Sequence, residues 1–258
     1  MQPFDLTERV AVVTGAGSAT GIGFATARVL AQLGARVLIT ATTERVQDRV
    51  AELRQDGLDA AGAVADLTVQ AEAEGVAAAA LERWARLDVL VNNAGMTSVA
   101  APGTEEGRID ELGLDEWHAG MARNLDTAFL MSRAVLPHLS RPGGRIVMIS
   151  SVTGPVMAMR GQAAYAAAKA GMVGLARALA LDVAREGITV NVVAPGWIET
   201  GSQTPHEHAQ GERTPVGRSA RPDEVAAAAA FLAGPGAAYI TGQTLVVDGG
   251  NSIAEERV

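Results

Sequence analysis

Tyr165 and Lys169 stand four residues apart, the spacing that places two side chains one turn apart on the same face of a helix. Ala166, Ala167 and Ala168 between them are strong helix formers, so a continuous helix is expected there. A phenol beside an ammonium is an acid–base pair. The cation stabilises the phenolate and is expected to draw the tyrosine pKa down from about 10, into reach of proton transfer near neutral pH. Ser151 lies upstream, just past the apolar run RIVMI at 145–149, which reads as a buried strand. A hydroxyl at a strand's end and a Tyr/Lys helix beyond the next loop can converge on one oxygen atom. Such a pair also arises by chance, so its meaning depends on the elements around it.

Those elements begin with VAVVT at 10–14, a β-branched run suited to a strand buried on both faces. The segment GAGSATGIG at 15–23 follows, then a helical pattern that Gly34 stops. Strand, glycine-rich turn and helix form a dinucleotide-binding start, in which Gly15, Gly17, Gly21, Ile22 and Gly23 would bring backbone N–H groups to a pyrophosphate. The second strand, 36–42, ends in Thr40, Ala41 and Thr42 with Arg45 just beyond, and no carboxylate precedes Glu44. An acidic residue there would bind a ribose 2′-hydroxyl and repel a 2′-phosphate. Hydroxyls and a cation suit the phosphorylated ribose, which favours NADP(H) over NAD(H), although threonines also simply fit a strand.

A helix over 43–57 leads to a short strand at 61–65, which ends at Asp66 and Leu67. Asp66 is placed to meet an adenine amino group, and it is equally placed to cap the helix expected through 71–87. The strand at 88–91 runs into Asn92, Asn93, Ala94 and Gly95, whose small residues and amides can brace the sheet or border a cofactor. A polar surface loop is expected over 96–115 and a long helix over 116–139 carrying Asn124, a polar residue of the kind that usually holds a backbone group or a water. The Tyr165 helix should continue to about residue 185 and the next strand to 193, followed by Ala194, Pro195, Gly196, Trp197, Ile198, Glu199 and Thr200. Residues 201–214 read as a mobile polar segment at the edge where ligands enter. His206 and His208 lie within it, but two histidines two apart with no matching cluster do not make a metal site, and none is expected. A helix at 222–233 and a strand at 242–247 complete the chain. Strands alternating with helices predict one doubly wound α/β domain of the Rossmann type over residues 1–258, its mostly parallel sheet covered on both faces.

Composition agrees with that class. The 258 residues are 48% hydrophobic and only 3% aromatic, so the core must be built from alanine and branched aliphatics. A net charge of −8 argues against nucleic acid, and no apolar run approaches a membrane span. Residues 1–9 lack a signal-peptide pattern, and the absence of cysteine removes disulfides and thiolate metal sites, which fits the cytoplasm. On the Tyr165 helix, Ala163, Ala167, Ala170, Gly174 and Ala178 recur at three- or four-residue steps. That smooth face is expected to meet another helix across a two-fold axis, or else it reflects only how common alanine is here.

Thr14-Gly15 with Gly21-Ile22-Gly23, Asn92-Asn93-Ala94-Gly95, Ser151, Tyr165 with Lys169, and Pro195-Gly196 together resemble the short-chain dehydrogenase/reductase family over essentially the whole chain. The finer resemblance is to 3-oxoacyl-(acyl-carrier-protein) reductases, through residues 40–42, 161–171, 188–200 and 237–250. It implies a catalytic tetrad of Asn124, Ser151, Tyr165 and Lys169. Gly15, Gly17, Gly21, Ile22, Gly23, Thr42, Asp66, Leu67, Asn93, Ala94, Gly95, Tyr165, Lys169, Pro195, Gly196, Ile198 and Thr200 would contact the cofactor, with Thr42 by the 2′-phosphate. It further implies hydride transfer between NADP(H) and a 3-oxoacyl thioester carried on acyl carrier protein, in a homotetramer built from the two long helices and the C-terminal strand. Asn124 would position a water linking Lys169 to solvent. The alternatives are a carbonyl reductase or secondary-alcohol dehydrogenase for free small ketones, and a non-catalytic dinucleotide-binding regulator, which would be expected to lose Tyr165 or Lys169. The chain departs from the family in two places. Five residues, not three, separate Thr14-Gly15 from Gly21-Ile22-Gly23, so a bulged turn is expected. The segment 201–214 looks shorter than the acyl-carrier reductases' lid, which leaves the substrate less defined.

Overall fold

The computed structural model describes residues 2–95 and 106–255, so residues 96–105 of the loop expected over 96–115 lie outside the described part. Seven strands form one parallel sheet: β1 (Val10–Val13), β2 (Arg36–Ala41), β3 (Ala60–Val64), β4 (Val89–Asn92), β5 (Arg145–Ile149), β6 (Thr189–Pro195) and β7 (Thr244–Val247). They lie in the order β3-β2-β1-β4-β5-β6-β7, so the winding reverses between β1 and β4. That crevice, beyond the carboxyl ends of the strands, is where open α/β sheets receive ligands.

The central strands are mostly apolar because both of their faces are covered. Ala11 and Val13 of β1 join one core layer while Val12 joins the other; Val147 and Ile149 of β5 likewise oppose Ile146 and Met148. Helices α1 (Ile22–Gln32), α2 (Arg45–Gln55) and α8 (Pro222–Ala233) cover the first layer. The second layer is covered by α3 (Gln70–Trp84), α5 (Thr127–Val135) and α6 (Ala163–Val183). Ala229 and Ala233 of α8 pack in one cluster with Phe24 and Leu30 of α1. Where aromatics are scarce, alanine lets the layers approach closely.

The expected helix over 116–139 is really a composite. It begins as α4 (Leu114–Met121), widens into a π-turn at Ala122–Asp126, and continues as α5. The π-turn holds Asn124, and such turns concentrate at functional sites. The segment 201–214 is also not a plain loop. Thr204 accepts from the Glu207 amide at 3.2 Å and Glu207 accepts from the Thr204 amide at 2.7 Å, and this reciprocal cap starts helix α7 (Pro205–Glu212). Asp66 does not cap α3, whose cap is Val69; its carboxylate instead accepts from the Thr68 amide and hydroxyl at 3.0 and 2.7 Å. No described helix is long and apolar enough to cross a membrane.

At the amino edge of the sheet, the side chain of Asp88 is fully buried. It accepts from Arg9 at 2.8 Å, from Arg86 at 2.6 and 2.8 Å, and from the Val10 amide at 2.9 Å. Burial pushes its carboxyl up, but these hydrogen bonds prevail and hold it below the usual carboxylate range.

Candidate active site

The ends of β1 and β4 are pinned by one hydroxyl. Thr14 Oγ1 donates to the Val91 carbonyl at 3.3 Å and accepts from the amides of Asn93 and Ala94, both at 2.9 Å. Asn93 then donates its side-chain amide to the carbonyls of Thr14 and Gly15 at 3.0 and 3.1 Å. Of its two expected roles, bracing is the one this geometry displays. A β carbon on Gly15 would lie 2.8 Å from Ala94 Cα, and one on Gly23 would lie 2.5 Å from the Asn93 amide nitrogen. Glycine is therefore required here for packing at the crevice, and Gly15 also holds a φ of +67°.

Gly21 enters α1 in an extended conformation with no side-chain cap, and no acidic residue lies in the first turn. The first N–H groups of α1 thus remain available to an anion, with the helix dipole behind them. The two extra residues of the loop are absorbed by a turn closed from the Gly21 amide to the Ser18 carbonyl at 3.2 Å. This turn projects Ser18, Ala19 and Thr20 into solvent. The Thr20 hydroxyl accepts from the Gly201 amide at 2.9 Å, so the glycine loop touches the start of the 201–214 segment.

A third glycine shows where the cation beyond the second strand goes. A β carbon on Gly17 would lie 2.6 Å from Arg45 Nε and 2.7 Å from Ala41 Cβ, so the Arg45 side chain lies directly against the glycine loop. Thr40 is buried and faces inward, where its hydroxyl accepts from the Gly15 amide at 3.3 Å. Thr42 and Thr43 are exposed at the rim, as is Asp66, while Leu67 is buried in the second core layer.

On the other side of the crevice, Ser151 follows β5. Its hydroxyl accepts from the Thr153 amide at 3.1 Å and stands beside the Tyr165 phenol, where it acts to lower that phenol's pKa. The loop after it lies flat on α6. Gly154 has a φ of +106°, and a β carbon there would meet the Ala166 carbonyl at 2.2 Å. Val152 donates to the Pro195 carbonyl at 2.9 Å, and Gly196 donates to the Val247 carbonyl at 2.9 Å, which fixes the end of β6 beside Ser151. Ile198 and Glu199 are held by the strip at Ala220, and the Thr200 hydroxyl meets that of Ser202 at 3.0 Å. Asn124 is fully buried and donates to the Gly120 carbonyl at 3.1 Å, and a β carbon on Gly95 would lie 3.0 Å from its side-chain oxygen.

Lys169 is 2% exposed, donates to the Ile149 carbonyl at 3.1 Å, and sits 5.6 Å from the Tyr165 ring centroid. Burial pushes its pKa down to about 8. Tyr165 departs from expectation: burial pushes its pKa up, against the lowering effect of the Ser151 hydrogen bond, and the Glu207 carboxylate of α7 adds to the rise. The ammonium lies over the ring and is directed at a main-chain carbonyl, so desolvation outweighs its pull on the phenol. Among the described residues no group of three or more histidines, aspartates or glutamates is arranged to hold a metal; His208 lies 3.7 Å from Glu212 on α7.

A family model described as enoyl-(acyl carrier protein) reductase matches residues 15–252. The 3-oxoacyl-[acyl-carrier-protein] reductase FabG of Vibrio cholerae serotype O1 is 41% identical over 251 residues, covering 95% of this chain and 98% of that protein. This chain belongs to the short-chain dehydrogenase/reductase family. Another relative, the cis-4-hydroxycyclohexanecarboxylate dehydrogenase of Sinomonas cyclohexanicum, is 40% identical over 94% of this chain and 96% of its own length. A short-chain dehydrogenase from Burkholderia cenocepacia J2315, solved with NADP, superposes with a TM-score of 0.85 at 35% identity, covering 95% and 98% of the two chains. The protein is therefore a short-chain oxidoreductase that uses a nicotinamide dinucleotide. Its crevice fits that group: glycines leave the loop open to close approach, and the uncapped start of α1 faces it. Thr20 is the residue that sequence reasoning passed over. The signal was present in the lengthened glycine loop, but the spacing does not say what the loop touches, just as the cation Arg45 after β2 did not announce its contact with Gly17.

Proposed function

We propose that this short-chain dehydrogenase/reductase is an NADP(H)-dependent ketoreductase whose substrate is a 3-oxoacyl thioester. The observation that carries the reading is the convergence of Ser151, Tyr165 and Lys169 at the carboxyl ends of β5 and β6, with only β4 between β5 and the strand that leads into the glycine loop. The bound nicotinamide supplies or accepts the hydride at the carbon of the ketone or alcohol. Tyr165 holds a proton well above neutral pH and donates it to the oxygen that becomes the alcohol, while the Ser151 hydroxyl hydrogen-bonds the same oxygen. Lys169 holds the nicotinamide ribose and refills Tyr165, with Asn124 ordering a water behind it. Gly15, Gly21, Ile22 and Gly23 receive the pyrophosphate. Asp66 and Leu67 meet the adenine; Ala94, Gly95, Pro195, Gly196, Ile198 and Thr200 border the rest of the cofactor. Arg45 against Gly17, together with Thr42, supports NADP(H), because a cation and a hydroxyl stand at the ribose end with no carboxylate on β2.

The substrate rests on similarity to 3-oxoacyl-[acyl-carrier-protein] reductases, and the natural form would be the thioester on acyl carrier protein. A second reading, oxidation of a free secondary alcohol, is supported by the comparably similar hydroxycyclohexanecarboxylate dehydrogenase. We further propose a homotetramer, supported by the open small-residue face of α6: Gly174 and Ala178 are exposed, and nothing lies within 4 Å of a β carbon on Gly174. Turnover of an acetoacetyl thioester, a free β-ketoester and a cyclic secondary alcohol, each with both cofactors, tests the assignment. The thioester with NADPH is expected to give the highest kcat/KM. Preference for the free alcohol would replace the first reading with the second.

A further inference from the structure

The lengthened glycine loop does more than accommodate two residues. Its Thr20 crosses the mouth of the crevice to the lid, where its Oγ1 accepts from the Gly201 amide at 2.9 Å. On the lid side the chain is firmly held up to that point: Glu199 donates to the Ala220 carbonyl at 2.8 Å, and Ala220 donates to the Trp197 carbonyl at 2.9 Å. Beyond it, Gln203 closes a turn to the Thr200 carbonyl at 3.0 Å, and α7 begins at Pro205. Over residues 200–204, Gly201 is the one amide tied outside the segment's own turns, and its tie is to the glycine loop. The close fit is specific to glycine, since a β carbon on Gly201 would come within 2.6 Å of the Thr20 oxygen. A threonine hydroxyl accepts and donates at once. Here the accepting side is used by Gly201, and the O–H has no acceptor among the described residues.

We propose that Thr20 straps the substrate lid to the bound dinucleotide, its oxygen accepting from Gly201 while its O–H donates to a phosphate oxygen of the cofactor. This rests on the reading of the glycine loop as the pyrophosphate site. The consequence is mutual: the cofactor orders the lid, and the ordered lid slows the cofactor's departure. The family pattern of three residues in this loop has two fewer with which to form such a crossing, so the strap belongs to this chain's own departure from it.

The test uses the whole protein without turnover. NADPH and NADH are bound and then chased with excess oxidised cofactor, and the loss of nicotinamide fluorescence gives the release rate. In parallel, trypsin cleavage after the exposed Arg213 at the end of the lid is timed with and without cofactor. A hydrogen bond to a charged group corresponds to roughly tenfold or more in release rate. Thr20→Val is expected to speed release by about that factor and to abolish the cofactor's protection of Arg213, while Thr20→Ser stays within about threefold of wild type. Gly201→Ala, which pushes the hydroxyl aside without removing it, is expected to weaken protection in the wild type and to have no effect on a Thr20→Ala background. Unchanged release in Thr20→Val overturns the proposal, as does faster release with cofactor protection intact or an additive effect of Gly201→Ala. A wild type that binds neither dinucleotide overturns the cofactor reading itself, which is a distinct result.

Discussion

Gly17 and Arg45 are fitted to one another: a β carbon on the glycine would stand 2.6 Å from the arginine's Nε. The glycine's lack of a side chain is what lets a cation from the start of α2 lie on the glycine loop. Arg45→Ala is therefore expected to raise KM for NADPH by about tenfold, the scale of one charge-assisted contact, with little change for NADH. Ala41→Asp should go further, placing a carboxylate where a 2′-phosphate would lie and turning the preference towards NADH. Steady-state kcat/KM for both cofactors decides the matter; a wild type that prefers NADH would show that the end of β2 has been misread.

Tyr165→Phe keeps the ring's packing on α6 and removes the proton donor. Turnover is expected to drop by at least about 10²-fold, the usual loss for a general acid, with NADPH affinity nearly unchanged. Fluorescence titration beside an initial-rate assay separates the two quantities. Near-normal turnover would remove Tyr165 from the mechanism.

Lys169 makes the cofactor-free fold sensitive to pH in a defined direction. Its pKa is about 8 in the fold, against about 10.4 for a free lysine. Below pH 8 the fold bears the full cost of a buried ammonium. As pH rises from 8 towards 10 the unfolded chain binds more protons, so stability rises. Tyr165, whose pKa is raised, opposes the trend only as pH nears 10, where the unfolded phenol starts to lose its proton and the folded one does not, and it is common to both proteins compared. Between pH 7 and 9.5 the wild type should gain about 2 kcal/mol relative to Lys169→Met. Urea denaturation of the two proteins across that range measures the difference, and parallel curves would contradict it.

Asp88 acts at the opposite edge of the sheet. Because its carboxyl lies below the ordinary range, its contribution is present at neutral pH and disappears as pH falls through its lowered folded-state value. Asp88→Ala strands Arg9 and Arg86 beside a buried gap and is expected to cost about 2 to 4 kcal/mol, since both arginines keep partial access to water. NADPH affinity should not change. A stability loss below about 0.5 kcal/mol would mean the cluster is no more than a surface pair.

The assembly proposal is tested at Gly174. An arginine there finds open space within one chain but would project into any closely packed helix of a second copy. Sedimentation at micromolar concentration should show a tetramer for the wild type and smaller species for Gly174→Arg. A wild-type monomer near 26.5 kDa would end the proposal.

Much of this molecule is legible in its sequence, because the signals are local. Period and punctuation mark the strands and helices: a strand buried on both faces reads as a nearly continuous apolar run, as VAVV and the IVMI of β5 do, and glycines follow the ends of α1, α2 and α8. The spacing of Tyr165 and Lys169 on a helix is likewise local, as is the carboxyl-edge position of Ser151, since every strand of a parallel sheet points the same way. The helix at 205–212 was also written locally, in the Thr204-x-x-Glu207 capping box with Pro205 at its first position, though its polar composition reads as a loop. The other features were decided only by the tertiary structure, through contacts between residues distant in sequence. The Tyr165 pKa rose instead of falling because the direction of the ammonium and the depth of burial, not the four-residue spacing, set the balance between desolvation and attraction. Arg45 reached Gly17, and Thr20 reached Gly201 from 181 residues away, because the parallel sheet gathers its loops at one edge. Sequence periodicity can say which edge a loop belongs to; only packing decides which of the loops there touch.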